Sequence, residues 1–260
     1  MKYIALVLIC LVTTVAKAQS TPLLAEQKVE LNAAQGLPLG EQISFDVQTS
    51  KPKMLAAKLE GWSHIKVTQI KDRGLSLTMR NKSEFLGKPI SQYSAPSFVI
   101  DTDELSTQNF ISGFAESIDN TKGWEPNDLA AYVSGYIKDT TYIHGFNIAS
   151  VVAEQASGDC TEYAVLVTAL ARGLGLPARL IMGTVIVEQA DNVASYGHAW
   201  VEVYNDGQWH LLDAALYGDE SSQHFYLPAS ELENEGPGYV MSLARGAALM
   251  SEAITNLKSN

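Results

Sequence analysis

Three side chains in the second half of the chain have the types and spacing for nucleophilic catalysis: Cys160, His198 and Asp213. Cys160 follows Gly158-Asp159 and opens a run with helical period, in which Ala164, Val167, Leu170, Ala171 and Leu174 fall on one side. Gly173, Gly175 and Pro177 close that run. The thiol is thereby placed in the first turn of a helix, where unpaired backbone N–H groups and the helix dipole favour thiolate over thiol. Asp159 and Glu162 are anions acting the other way, so an imidazolium has to supply much of the stabilisation; Glu162 is also placed to cap the helix. A cysteine at a helix start is by itself as compatible with packing as with chemistry. The histidine and the aspartate change the balance.

His198 belongs to Gly197-His198-Ala199-Trp200-Val201-Glu202-Val203-Tyr204. Alternation puts His198, Trp200, Glu202 and Tyr204 on one face of a strand and Ala199, Val201 and Val203 on the other. Trp209 to Asp213 follows after Asn205-Asp206-Gly207-Gln208, and Asp-Gly between two such runs signals a hairpin. With Asp206-Gly207 as the turn, Tyr204 faces Trp209, Trp200 faces Asp213 and His198 faces Ala215. His198 and Asp213 become diagonal neighbours on one face, about 7–8 Å apart at the backbone and within side-chain reach. A slip of one residue would carry Asp213 to the opposite face. His210 points away from Asp213 by the same parity. The spacing therefore predicts a histidine oriented by an aspartate.

The remaining elements have to present these three residues to one another. Residues 19–40 lack clear periodicity and read as an extended arm. From Glu41 to about Leu86 the pattern is strand-like, as in Gln42 to Val47, Ile65 to Val67 and Leu75 to Met79, with Asp72-Arg73-Gly74 as turn chemistry. Helical period appears after Pro89 and Pro96. Asp103 or Ser106 could cap a helix through Phe110 and Phe114, and Pro126 can open another carrying Leu129, Tyr132, Val133, Tyr136 and Ile137. Strands are expected over Ala178 to Val187, His198 to Tyr204 and Gln208 to Asp213, and a terminal helix over Met241 to Leu257, interrupted at Gly246. There is no internal repeat and no low-complexity block.

The chain start has the pattern of an export signal. Met1-Lys2 is followed by an apolar run from Tyr3 to Val15, interrupted by Thr13 and Thr14, and by Ala16-Lys17-Ala18, the small-x-small pattern of a cleavage site. The run is shorter than the roughly 20 residues of a membrane span. Cleavage after Ala18 predicts a secreted or periplasmic protein with no stable membrane insertion. It removes Cys10 as well, leaving Cys160 as the only thiol, so a disulfide scaffold within one chain is excluded. It also removes Lys2 and Lys17, leaving 16 basic against 29 acidic residues, a net charge of −13. Such a surface gives no footprint for nucleic acid. His64, His144, His210 and His224 are scattered without metal-ligand spacing, and no cofactor or metal is called for.

The Gly-Asp-Cys-Thr-Glu-Tyr-Ala stretch at 158–164, continuing through Ala169 to Arg179, resembles the nucleophile helix of bacterial transglutaminase-like proteins. Gly197 to Val203 is similar to their histidine strand, and Trp209 with Asp213 to their aspartate strand, in the same chain order. Pro96-Ser97-Phe98 and Ile100-Asp101 resemble the approach segment, so the likeness covers about residues 93–217. Where family members often carry Pro-Thr after the aspartate, this chain has Ala214-Ala215. The resemblance implies an α+β fold with a papain-like, transglutaminase-like core. In it the nucleophile helix packs on an antiparallel sheet, behind a small N-terminal β-rich region. The expected division is a signal peptide (1–18), an arm and β-rich region (19–92), a catalytic domain (93–228) and a C-terminal helical tail (229–260). The implied chemistry is acyl transfer on amide bonds by Cys160, His198 and Asp213 through a thioester. The expected partner is a peptide or protein substrate, cell-wall peptides among the candidates. Peptide or isopeptide hydrolysis is the favoured outcome. Protein crosslinking, or a non-catalytic peptide-binding scaffold on the same fold, is the alternative. The backbone N–H of Cys160 is the first oxyanion donor, and Trp124 and Tyr142 are candidates for the second.

Overall fold

The computed structural model describes residues 30–31, 35–118, 123–140, 146–189, 192–219 and 222–259. The expected signal segment, Tyr142 and His144 lie outside them. In chain order the elements are β1 (Glu30–Leu31), β2 (Gln42–Gln48), α1 (Pro52–Leu59), β3 (Ile65–Lys71), β4 (Gly74–Arg80), α2 (Leu105–Ser117), α3 (Pro126–Tyr136), α4 (Ala149–Gln155) and α5 (Cys160–Gly173). There follow β5 (Ala178–Gln189), β6 (Asn192–Asn205), β7 (Gln208–Leu212), β8 (Ser222–Glu231), α6 (Tyr239–Ala247) and β9 (Ala253–Ser259).

The strands form two sheets, ordered β1-β9-β2-β4-β3 and β7-β6-β5-β8. The second is antiparallel throughout; in the first only the short β1–β9 pairing is parallel. Alternation along β5 and β6 gives the second sheet two apolar faces. Leu180, Met182, Ala199, Val201 and Val203 pack with α2 to α5 in one core, whereas Ile181, Val185 and Trp200 pack with Ile43, Phe45, Leu75 and Leu77 of the first sheet in another. The result is three layers, helices on sheet on sheet, and it is the mixed α+β arrangement expected. Helix α5 is buried along almost its whole length, Gly173 excepted, and lies against β6. The nucleophile candidate is thus carried on the most enclosed helix of the molecule.

Three expectations are corrected. Pro52–Leu59 is helical inside the segment read as strands, with Leu55, Ala56 and Leu59 buried on one side. Met241 to Leu257 is not one helix: α6 ends at Ala247, and Ala253–Ser259 is a strand that completes the first sheet between β1 and β2. The C-terminal segment is therefore part of the β-rich layer rather than a helical tail. Strand β8 also crosses the expected boundary at residue 228.

A buried knot ties the loops beside the first sheet to the second sheet. The Arg179 guanidinium lies among Trp62, Phe85, Tyr93 and Trp209, closest to Phe85 at 3.3 Å from the ring centroid. It donates to Glu202 and Glu231, while Trp62 Nε1 donates to Glu202 at 2.7 Å and Tyr93 Oη to Glu231 at 2.7 Å. The cost of burying this cation is offset by the ring faces and carboxylate acceptors around it.

Candidate active site

Local sequence builds the start of α5. Asp159 is its N-cap, with Oδ1 accepting the Thr161 N–H at 2.9 Å, and Glu162 reaches back to accept the Asp159 N–H at 3.0 Å. This is a capping box, and it satisfies two donors that a helix end leaves open. Gly158 stands at φ +152°, and a Cβ there would overlap the Glu162 side chain, so glycine is required for the box to close. The turn is held from outside by the segment at 138–140: Lys138 donates to the Ala156 carbonyl and Gly158 to that of Asp139, both at 2.9 Å. Cys160 emerges as the first helical residue, 6% exposed.

The hairpin places the other two residues. Asp206 (φ 49°) and Gly207 (φ 85°) form the turn, and the ladder pairs Tyr204 with Trp209 and Val201 with Leu212, the register read from the sequence. Asp213 sits just past the last pair. Its Oδ2 accepts from His198 Nε2 at 2.7 Å, and its Oδ1 accepts the N–H groups of Ala215 and Leu216 at 3.0 and 3.2 Å. Ala214-Ala215 therefore folds back onto the carboxylate. With Nε2 engaged, Nδ1 is the ring nitrogen left for Cys160, whose thiol feels the charge of the ring. Cys160, His198 and Asp213 are thus brought together, His198 hydrogen-bonded to Asp213 and coupled by charge to Cys160. Cys160 and His198 line a cleft of about 340 Å³ whose walls also include Thr140, Tyr163, Tyr196 and Leu216.

The electrostatics depart from the sequence reading at one point. Burial pushes the Cys160 thiol up, and the hydrogen bond and charge of His198 only partly pull it back, so the closed site favours thiol more than a helix start alone suggests. Burial pushes the His198 imidazolium down, but Asp213 and Cys160 reverse this and raise it to about 10. Asp213 is raised by burial and lowered further by His198, Tyr226 and the backbone, ending below the usual carboxylate range. The histidine is held charged against its carboxylate, and the thiolate depends on that imidazolium.

Tyr226 is the participant that sequence reasoning missed. Its hydroxyl donates to Asp213 Oδ2 at 2.8 Å from strand β8, with its ring 5.2 Å from that of Trp200. Only the β5–β8 pairing, Val185 with Tyr226, brings it there, and no local pattern announces such a long-range partner. Trp200 is fully buried and stacks on the His198 ring at 6.4 Å, backing the imidazole from the inter-sheet core. Its neighbour Gly183 is fixed by this approach, since a Cβ there would press on the indole and on the Leu227 carbonyl.

Other candidates fall outside the site. Trp124 packs on Phe114, 6.0 Å between rings. His64 is buried, accepts the Glu84 N–H at 3.1 Å, and is held by burial at about 4, a structural histidine. His210 pairs with Val203 and faces away from Asp213; His224 lies 3.5 Å from Asp219. Among the described residues no group of histidine, cysteine and acidic side chains has the arrangement of a metal site, and no helix is long and apolar enough to cross a membrane.

Residues 113–214 match the transglutaminase-like superfamily. The matched segment contains Cys160, His198 and Asp213 and stops short of Tyr226. No curated protein sequence gives a significant match. Among solved structures, the chain is similar to a candidate cysteine protease from Cytophaga hutchinsonii at 12% identity and a TM-score of 0.46, with 77% of each chain covered. It is also similar to the periplasmic domain of TgpA from Pseudomonas aeruginosa, solved with ethylmercury bound. That match has 15% identity and a TM-score of 0.42, covering 76% of this chain and 87% of the other.

Proposed function

We propose that this transglutaminase-like protein is an exported cysteine enzyme that hydrolyses peptide or isopeptide bonds. The observation that carries the reading is the meeting of Cys160, at the first turn of α5, with a His198 that is hydrogen-bonded to Asp213 and whose charge acts on the thiol. Cys160 Sγ attacks the amide carbon as a thiolate paired with the His198 imidazolium. The Cys160 backbone N–H, one of the donors a helix start leaves free, faces the developing oxyanion. His198 gives its proton to the leaving amine as the C–N bond breaks, leaving a thioester on Cys160 and a neutral imidazole. Water, deprotonated by that imidazole, then releases the acid and restores the thiolate–imidazolium pair. Asp213 holds the ring so that one nitrogen always faces the thiol.

The test profiles purified protein on peptide libraries and cell-wall peptides by mass spectrometry, with and without a primary amine. Cleavage that disappears in Cys160→Ala is the expected result. Amine incorporation outpacing cleavage would move the reading to crosslinking. No Cys160-dependent product on any substrate would overturn the catalytic reading.

A further inference from the structure

Asp159 and Glu162 are buried together beside the nucleophile candidate, 4% and 0% exposed, and no salt bridge reaches either carboxyl among the described residues. Glu162 accepts the N–H of Asn147 on Oε1 and that of Asp159 on Oε2, each at 3.0 Å. The Thr161 hydroxyl lies between the two acids, 2.8 Å from Asp159 Oδ1 and 3.0 Å from Glu162 Oε2. A hydroxyl has a single proton to donate. It can satisfy one carboxylate; its other contact is a hydrogen bond only if that carboxyl carries a proton and donates it to the threonine oxygen. Asp159 Oδ2, which belongs to a side chain lining the Cys160 cleft, is buried with no hydrogen-bond partner. Two full negative charges could not be sustained in so dry a setting.

We propose that Glu162 is a positioning residue for the Cys160 chemistry, holding a proton that it donates to the Thr161 hydroxyl, which in turn donates to Asp159, and so keeping a second negative charge away from the nucleophile. The proposal rests on the reading of Cys160 as nucleophile. The same carboxyl ties the Gly158-Asp159-Cys160 turn to the segment entering α4, which fixes the direction of the Cys160 N–H. Burial and then the charge of Asp159 raise Glu162 to about 7, and the charge of Asp159 already opposes the thiolate. The other titratable groups around the pair are Cys160 and Tyr163 on α5 and Asp139 on the segment bonded to Gly158. Tyr239 of α6 approaches through the Phe146 carbonyl, and His198 of β6 is itself tied to Asp213. Among these only His198 is cationic, and it favours the thiolate. As pH rises and Glu162 loses its proton, the first turn gains a negative charge and thiolate formation is opposed where a free thiol would begin to ionise.

Two measurements test this without needing turnover. Infrared titration of the wild-type protein should show a carboxylic-acid C=O band at pH 6 that fades by about pH 8–9 and is missing in Glu162→Gln. Alkylation of Cys160 by iodoacetamide should, above about pH 8, run roughly three- to tenfold faster in Glu162→Gln than in wild type, because the amide cannot acquire the charge. A wild-type protein lacking the acid band at pH 6, or superimposable alkylation profiles, would overturn the proposal. A chain that behaves as expected here yet cleaves no amide would overturn the functional reading alone.

Discussion

The two ends of helix α5 are equally enclosed and opposite in character. At the C-terminal end Arg172 gives every guanidinium N–H an acceptor: Glu235 at 2.6 and 2.7 Å, the Ala178 carbonyl at 2.8 and 3.1 Å and the Ala95 carbonyl at 3.1 Å. A cation in the last turn also suits the helix dipole. At the N-terminal end sit a thiol and two carboxyls, with no arginine or lysine bonded to them among the described residues, and the cation acting on the thiol is His198. Matched charges at one end have nowhere to go and serve only to anchor. Unmatched groups at the other can exchange protons, which is what acyl transfer requires. Burial alone therefore does not distinguish a structural ionisable group from a chemical one; the completeness of its partners does.

Substitution at each end should separate the two roles. Cys160→Ala is expected to lower turnover by about 10³-fold or more while leaving thermal stability nearly unchanged, as measured by steady-state kinetics and calorimetry. Arg172→Met should do the reverse: a loss of about 3–5 kcal/mol in denaturant unfolding, because Glu235 is left as a buried unpaired charge. The folded fraction should retain its activity per molecule, and Arg172→Met combined with Glu235→Leu should recover much of the stability. Full stability in the single Arg172 variant would mean that the anchor is not an anchor.

How much of this was legible follows from how local each feature is. The start of α5, its Gly-rich end and the Asp206-Gly207 hairpin are decided by neighbouring residues, and they read correctly, including the register that brings Asp213 to His198. Helix α1 was legible too, in Leu55, Ala56 and Leu59, but was absorbed into the alternation on either side. Strand β9 misled for a physical reason. Asn256 has φ 55°, and the pairing with β2 slips between Ser44 and Asp46, so an extra residue bulges out. Ile254 and Leu257 are both fully buried because of that bulge, and their spacing of three imitates a helix. The direction of the thiol pKa and the role of Tyr226 depend on what the third dimension places around them, and no window of sequence contains it.

The pH dependence of stability sharpens the contrast. Glu162 ordinarily titrates near 4.5 and is raised to about 7 in the fold, so the folded state holds its proton longer than the unfolded chain. Its contribution is fully present below 4.5 and is lost as pH rises through 7. Other groups slope differently: His64, lowered to about 4, contributes stability above 6.5 that is lost as pH falls through 4. The difference between wild type and Glu162→Gln isolates the carboxyl. Relative to the variant, the wild-type protein should lose roughly 2 kcal/mol between pH 5 and pH 8, on the order of 5 °C in melting temperature. Parallel curves would mean that Glu162 is ionised throughout and that the N-terminal end is as static as the other.

The smallest effect is expected at Tyr226, which asks whether neutral donors can do for Asp213 what a guanidinium does for Glu235. Asp213 is buried and ionised against His198, yet its other three hydrogen bonds come from Tyr226 and two backbone N–H groups. Tyr226→Phe removes one of the four and keeps the ring against Trp200, so packing and fold are preserved. The remaining donors still hold the carboxylate in line with the imidazole, but its negative charge is less well stabilised and its orientation less restricted. The expected outcome is a kcat lowered about tenfold or less with KM nearly unchanged, because the missing bond acts on the base and not on substrate binding. The acid limb of the pH profile should move upward, since Tyr226 is one of the groups that keep Asp213 below the usual carboxylate range. A pH profile that stays put would show the hydroxyl to be mere filling. A loss as large as that of Cys160→Ala would show instead that the backbone donors cannot hold Asp213, and that Tyr226 belongs with the three residues it supports.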